Sequence, residues 1–173
     1  MISSAKSERK RIVFIGRKKV GKSSLVNAFC GQDVCVVGED TETTTTLVEK
    51  AMDLPPYGHV LLVDTIAVDY LNDLKQNHLE KTIEAISSAD FVIVVLDARE
   101  KLSPEERNIF YNLKNKAIPF VAAVNKIEYG INSELINVLR VLNIVHFEIS
   151  CKEKVGIDAL KSLITRHLPM EQS

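Results

Sequence analysis

The chain has no surplus of charge of either sign: Lys and Arg total 22, Asp and Glu total 23, and the formal net charge is −1. No global basic excess therefore argues for a nucleic-acid or membrane-surface partner. Long hydrophobic runs are also missing. The longest, such as Phe91 to Leu96, fall far short of the roughly 18 apolar residues of a membrane span. The opening MISSAKSERKR contains no apolar core and does not read as a secretory signal. Cysteine is scarce. Cys30, Cys35 and Cys151 are odd in number and have no CxxC spacing, which argues against a disulfide framework or a zinc site. They read as small reduced hydrophobes of a cytoplasmic protein. His59, His78, His146 and His167 show no metal-ligand spacing. There is no internal repeat and no low-complexity linker.

What is present is an ordinary globular balance. Hydrophobic residues make up 46% and charged residues 26% of 173 residues, a length that suits one domain. Residues 1–10 are polar and read as a flexible tail. Residues 11–168 read as the domain, and 169–173 as a C-terminal tail or the start of a linker. Short β-branched runs predict strands over 11–15, 47–52, 59–64, 91–97, 118–125 and 144–150. Helical-period segments predict helices over 22–30, 74–89, 104–116, 132–142 and 156–168. Alternating strands and helices imply an α/β fold, a three-layer doubly wound sandwich with helices on both faces of a six-stranded, mainly parallel sheet. Only LPPYG joins the second and third strands. That is hairpin length, so the edge strand should run antiparallel.

The strongest motif is Gly16-Arg17-Lys18-Lys19-Val20-Gly21-Lys22-Ser23, followed by Ser24. It fits GxxxxGK[ST] and sits between a predicted strand and a predicted helix, as a phosphate-binding loop must. Glycines let backbone N–H groups converge on phosphate oxygens at the positive end of the next helix. Lys22 offers a cation to the β- and γ-phosphates, and Ser23 a hydroxyl to Mg²⁺. The apolar strand Leu61-Leu62-Val63 ends in Asp64, a carboxylate suited to holding Mg²⁺ through water.

A third signal is the strand Val121–Val124 leading into Asn125-Lys126-Ile127-Glu128. A carboxylate here can accept from the N1–H and N2–H₂ of guanine, a donor pair that adenine lacks, so it selects GTP over ATP. Ser150-Cys151-Lys152 follows the last strand, where a loop can aim a backbone N–H at guanine O6. Between the first two motifs lies the run Thr43-Thr44-Thr45-Thr46. One of these threonines can complete the Mg²⁺ shell and sense the γ-phosphate; the other reading is β-propensity in an edge strand.

Together these residues resemble the Era, Der and MnmE-like group of P-loop GTPases, and most of all the GTPase domain of the [FeFe]-hydrogenase maturation factor HydF. The resemblance runs from about Arg11 to Leu168. It rests on GRKKVGKSSLVNAFCGQDVCVV, on the Thr run feeding VEKAMDL, and on PYGHVLLVDT. It implies GTP and GDP as ligands, Mg²⁺ held by Ser23, Thr44 and Asp64, slow hydrolysis with Lys22 and Thr44 at the reacting phosphate, and nucleotide-dependent switch loops. Thr44 is chosen by alignment to that pattern, with Thr43 and Thr45 as alternatives. Further HydF-type domains or hydrogenase-maturation proteins would be the partners, and the cluster ligands of such a protein would lie outside this sequence.

Several positions depart from the pattern. Ala67 stands where the family has a glycine whose N–H approaches the γ-phosphate, and Val68 follows it instead of a water-orienting Gln. Glu128 replaces Asp, which keeps the charge one methylene further out. Lys19 replaces the Asn that helps to hold K⁺ in K⁺-activated relatives, so K⁺ dependence is not expected. Glu42 and Thr46 replace Gly and Asp in the first switch. The changes cluster on γ-phosphate chemistry and leave the phosphate cradle intact. They motivate a second reading, a pseudo-GTPase serving as a binding or assembly module. A third, an ATP-using P-loop enzyme, leaves the Asn-Lys-Ile-Glu and Ser-Cys-Lys loops unexplained.

Overall fold

The computed structural model describes residues 9–31, 48–55, 58–65 and 84–168. Its strands are β1 (Lys10–Gly16), β2 (Val48–Asp53), β3 (His59–Asp64), β4 (Phe91–Asp97), β5 (Phe120–Asn125) and β6 (His146–Glu148). Its helices are α1 (Lys22–Cys30), α2 (Pro104–Asn115), α3 (Ser133–Val141) and α4 (Ile157–His167), with a 3₁₀ turn over Ile127–Tyr129. Residues 84–87 are helical as well; the expected helix over 74–83 lies outside the described residues.

The strands form one six-stranded sheet in the order β2-β3-β1-β4-β5-β6. Every neighbouring pair is parallel except β2 and β3, where Asp53 faces His59 across the hairpin. Leu54 N–H donates to Gly58 O at 2.7 Å and closes that turn. The expected antiparallel edge strand is therefore present.

Alternation along the strands sorts the core into two layers. Val13, Ile15, Val92, Val94, Ala122 and Val124 face one side, against Ile109, Phe110 and Leu113 of α2 and Leu135 and Leu139 of α3. Ile12, Phe14, Ile93, Val95, Val121 and Ala123 face the other, against Leu25, Val26 and Phe29 of α1 and Leu160 and Ile164 of α4. Both faces of β4 are covered, and all seven of its residues are buried. That explains why its sequence is continuously apolar and not alternating.

Several strand ends differ from expectation; β5, for one, starts at Phe120 and not at 118. β1 starts at Lys10, which already pairs with Val60. β6 is confined to His146–Glu148 and not the longer 144–150 run. Ile144 N–H is taken by Leu139 O in the turn that ends α3, and Ser150 pairs with Val155 in a separate bridge. Local closures thus claim both flanks of the apolar run.

The helix starts carry their own signals. Ser103 caps α2: its hydroxyl accepts from Glu106 N–H at 3.1 Å while Glu106 accepts from Ser103 N–H at 2.8 Å, with Pro104 in the first turn. This is a capping box. Glu106 is buried, and burial pushes its carboxyl above the usual carboxylate range against the opposing pull of the Ser103 bonds. A folded-state value above the unfolded one means that stability falls as pH rises from the unfolded value through the folded one. Glu106→Gln keeps an acceptor and removes the buried charge. Its stability relative to the parent should rise from pH 4 to pH 7, read from urea unfolding at a series of pH values; a gap independent of pH would contradict this account.

Candidate functional site

In a parallel sheet all strands deliver their C-terminal ends to one edge, and the loops that follow gather there. β1 occupies the middle of the sheet between β3 and β4, so the loop after Gly16 sits at the centre of that edge. Gly16 packs tightly: an added Cβ would stand 2.8 Å from Val20 Cγ2 and 3.0 Å from Val95 O. Lys19 and Gly21 take left-handed backbone angles, φ 69° and 93°. Gly21 opens α1 with no side-chain cap, and the first-turn N–H groups of a helix so begun are the standard cradle for an anion.

The Lys22 ammonium donates to Asp64 Oδ1 and to Thr65 O. The Ser23 hydroxyl donates to Asp64 Oδ2 at 3.1 Å. Register explains the meeting, since β1 pairs with β3 so that Phe14 lies beside Asp64. Thr65 then locks the strand ends together, its hydroxyl donating to Phe14 O at 2.7 Å. Lys22, Ser23 and Asp64, expected from sequence to work as a set, form one connected cluster.

The second half of the site hangs on Asn125, which is 2% exposed. Its Nδ2 donates to Val20 O in the phosphate loop at 2.9 Å, and its Oδ1 accepts from Cys151 N–H at 3.1 Å. One side chain thus spans three loops. The fit requires Gly21, because a Cβ there would fall 2.3 Å from Asn125 Nδ2. Lys126, in a left-handed conformation, reaches back with its ammonium to Lys19 O.

Glu128 lies in the 3₁₀ turn after β5. Its Oε1 is buried without a hydrogen-bond partner among the described residues. The Ser150 hydroxyl, and then the charges of Lys152 and Lys126, hold its carboxyl below the usual range. The group therefore stays ionised at neutral pH. Ser150 is buried; its hydroxyl accepts from Glu153 N–H at 2.9 Å. Burial, and then the Glu128 charge, push the Cys151 thiol up to about 11. Cys151 contributes its backbone N–H here, not a thiolate.

Other expected residues fall as follows. Val20 is buried in the core. Arg17 turns its guanidinium onto Glu100 at 2.9 Å, so its backbone, not its charge, faces the loop interior. Lys18, Lys19 and Ser24 are exposed. Ser24 lines a cleft of about 500 Å³ between α1 and the 151–158 segment, with Asn27, Ala28 and Cys151. Thr44 with its neighbours Glu42, Thr43, Thr45 and Thr46, and Ala67 and Val68, lie outside the described residues.

Sequence reasoning passed over Asp97, Arg99 and Tyr129. Asp97 ends β4 directly beside Asn125. It is buried and accepts from Arg99 N at 3.0 Å, Nε at 3.0 Å and Nη2 at 2.8 Å. Those Arg99 bonds hold its carboxyl below the usual range. The sequence signal was a second apolar strand ending in Asp, like that before Asp64.

A parallel α/β sheet with a phosphate loop after its central strand, an Asp at the next strand end and an Asn-Lys-x-acidic loop across the edge defines a P-loop GTPase domain. Residues 11–126 match the family model described as 50S ribosome-binding GTPase; the chain belongs to that family, in the group of Era, Der and MnmE. Against the tRNA modification GTPase MnmE of Clostridioides difficile it is 31% identical over 155 residues, 89% of this chain and 33% of that protein. Against GTPase Der of Campylobacter curvus it is 31% identical over 162 residues, 91% of this chain and 34% of that protein. It thus spans about a third of these relatives' length. In fold it superposes on Aquifex aeolicus Era bound to GDP.AlF4⁻ with a TM-score of 0.72 and 22% identity, over 94% of this chain and 57% of that one.

Asn125→Ala would leave Val20 O and Cys151 N–H unpaired, at about 1–3 kcal/mol for each buried group. The variant should lose roughly 2–6 kcal/mol of stability together with nucleotide affinity. A urea midpoint equal to the parent's would show that Asn125 does not join the loops.

Proposed function

We propose that this domain is a Mg²⁺-dependent guanine-nucleotide switch with slow intrinsic hydrolysis. The observation that carries the guanine preference is the ionised Glu128 carboxylate in the 3₁₀ turn that follows Asn125 and Lys126. The N1–H and N2–H₂ of guanine form a donor pair that matches a carboxylate, and a charge-assisted pair of this kind is strong. The extra methylene of Glu128 relative to Asp is consistent with a weakened but retained preference.

The phosphates would be held by the Gly16–Ser24 backbone and by Lys22. Lys22 must leave Asp64 and Thr65 to reach them, so phosphate entry and release of the Asp64 carboxylate are coupled. Mg²⁺ suits the site, because Ser23 and Asp64 present hard oxygen donors 3.1 Å apart, with Thr44 as the third group expected from sequence. When bound, Mg²⁺ neutralises charge on the β- and γ-phosphates. Ala67 and Val68 leave no water-orienting side chain at the usual place, which keeps hydrolysis slow. The same substitutions favour, as a second reading, a pseudo-GTPase that binds nucleotide and serves assembly.

A HydF-like role in [FeFe]-hydrogenase maturation is the finer proposal, supported by the resemblance of the GRKKVGKSSLVNAFCGQDVCVV and PYGHVLLVDT segments to the HydF pattern. Lys19 is exposed and left-handed at the position of the K⁺-linked Asn, and the domain should turn over without K⁺. A cytoplasmic setting suits it, and no helix among the described residues is long and apolar enough to cross a membrane.

Calorimetric titration with GTP, GDP and ATP in Mg²⁺ buffer, with phosphate release in K⁺ and in Na⁺, tests these points. Guanine-selective binding with slow, salt-independent turnover is expected. Binding without turnover would favour the pseudo-GTPase, K⁺ stimulation would overturn the Lys19 reading, and equal affinity for ATP would overturn the guanine site. Glu128→Gln turns an acceptor into a donor and should cost guanine at least about tenfold in affinity, the size of one lost charge-assisted bond.

A further inference from the structure

Tyr129 is 55% exposed, so the core does not explain it. Its ring nevertheless carries two cations. The Arg99 guanidinium lies 5.2 Å from the ring centroid and the Lys152 ammonium 5.5 Å. The Lys152 ammonium also donates to the Tyr129 hydroxyl at 3.3 Å. Arg99, Tyr129 and Lys152 come from the loops after β4, β5 and β6 respectively, neighbouring strand ends at one edge of the sheet.

Each partner is itself held. Arg99 is fixed on Asp97 by its backbone N–H, Nε and Nη2, and its carbonyl accepts from Asn132 Nδ2 at 3.4 Å. The Lys152 loop is closed at its base by the Ser150–Val155 bridge, 3.0 and 2.9 Å, and by Cys151 N–H on Asn125. Tyr129 closes the one-turn helix that carries Glu128, its N–H donating to Lys126 O at 3.1 Å. Glu128 has one more rotatable bond than Asp, so the turn beneath it needs more restraint to aim the carboxylate.

Resting on the guanine-nucleotide reading above, we infer that Tyr129 is a positioning residue of the base site: it clasps the Arg99 and Lys152 loops, fixes the turn bearing Glu128, and so sets the residence time and base selectivity of the bound nucleotide. It touches neither the phosphates nor the reacting atoms. It acts through Glu128 and Lys152.

Stopped-flow release of a fluorescent GDP from the full chain reads this directly, with the inosine analogue, which lacks the 2-amino group, run beside it. Exposed cation–π and hydrogen-bond contacts each change an equilibrium by a factor of about two to ten. Tyr129→Ala should therefore release GDP about tenfold faster, and Tyr129→Phe, which keeps the ring over both cations, about threefold faster. Adding Lys152→Ala to Tyr129→Ala should accelerate release less than Lys152→Ala does alone. The guanine-over-inosine ratio should narrow in Tyr129→Ala. Unchanged release, full additivity with Lys152→Ala, or equal acceleration for guanine and inosine would overturn the clasp while the guanine reading stands. A parent chain that takes up no fluorescent GDP would overturn the reading itself, and the clasp with it.

Discussion

The Asn125 carboxamide is the joint on which the site depends. It is buried at the end of β5, with its nitrogen on Val20 O and its oxygen on Cys151 N–H. An amide is the side chain that suits this place, because it presents a donor and an acceptor in opposite directions on one rigid plane. Asp could not donate to the carbonyl, and Gln would push the plane a methylene too far. The joint also fixes a residue elsewhere: Gly21 is glycine because the Asn125 nitrogen occupies the space a Cβ would need. Two motifs 104 residues apart in sequence, read from Gly21 to Asn125, thus constrain each other through one contact.

That contact exists because the sheet brings its strand ends together. β1, β3, β4, β5 and β6 run parallel, so their C-terminal ends share an edge and their loops are neighbours whatever their separation in the chain. The apolar layers on each face hold the strands in register. Register places Asp64 beside Phe14 and Asn125 beside Asp97. The polar chemistry of the edge is therefore positioned by hydrophobic packing several residues away.

The site divides into a strong half and an altered half. The phosphate cradle, the Lys22–Asp64–Ser23 cluster and the Asn125 joint are built with satisfied partners. On the base side, Glu128 keeps its charge in the turn after β5, held ionised by the Ser150 hydroxyl and the Lys152 and Lys126 charges. Ala67 and Val68, the substitutions expected from sequence to bear on hydrolysis, lie outside the described residues.

Much of this was legible in the sequence, and for physical reasons. Strand and helix periods follow from which faces meet apolar surroundings, so the apolar run at 91–97 and the Ser103-Pro104 start declared β4 and α2 locally. The glycines and Lys22 declared a phosphate loop because few other uses need that spacing. The antiparallel edge strand followed from a connection too short for a crossover. Tertiary structure alone decided the rest. It turned Arg17 away onto Glu100, left β6 at three residues with turn bonds closing on Ile144 and Ser150 beyond it, and set Arg99 and Lys152 against Tyr129. Those outcomes depend on which loops become neighbours at the sheet edge and on which side chain fills the space between them. Local sequence carries no record of that, because the partners meet only after the parallel sheet has formed.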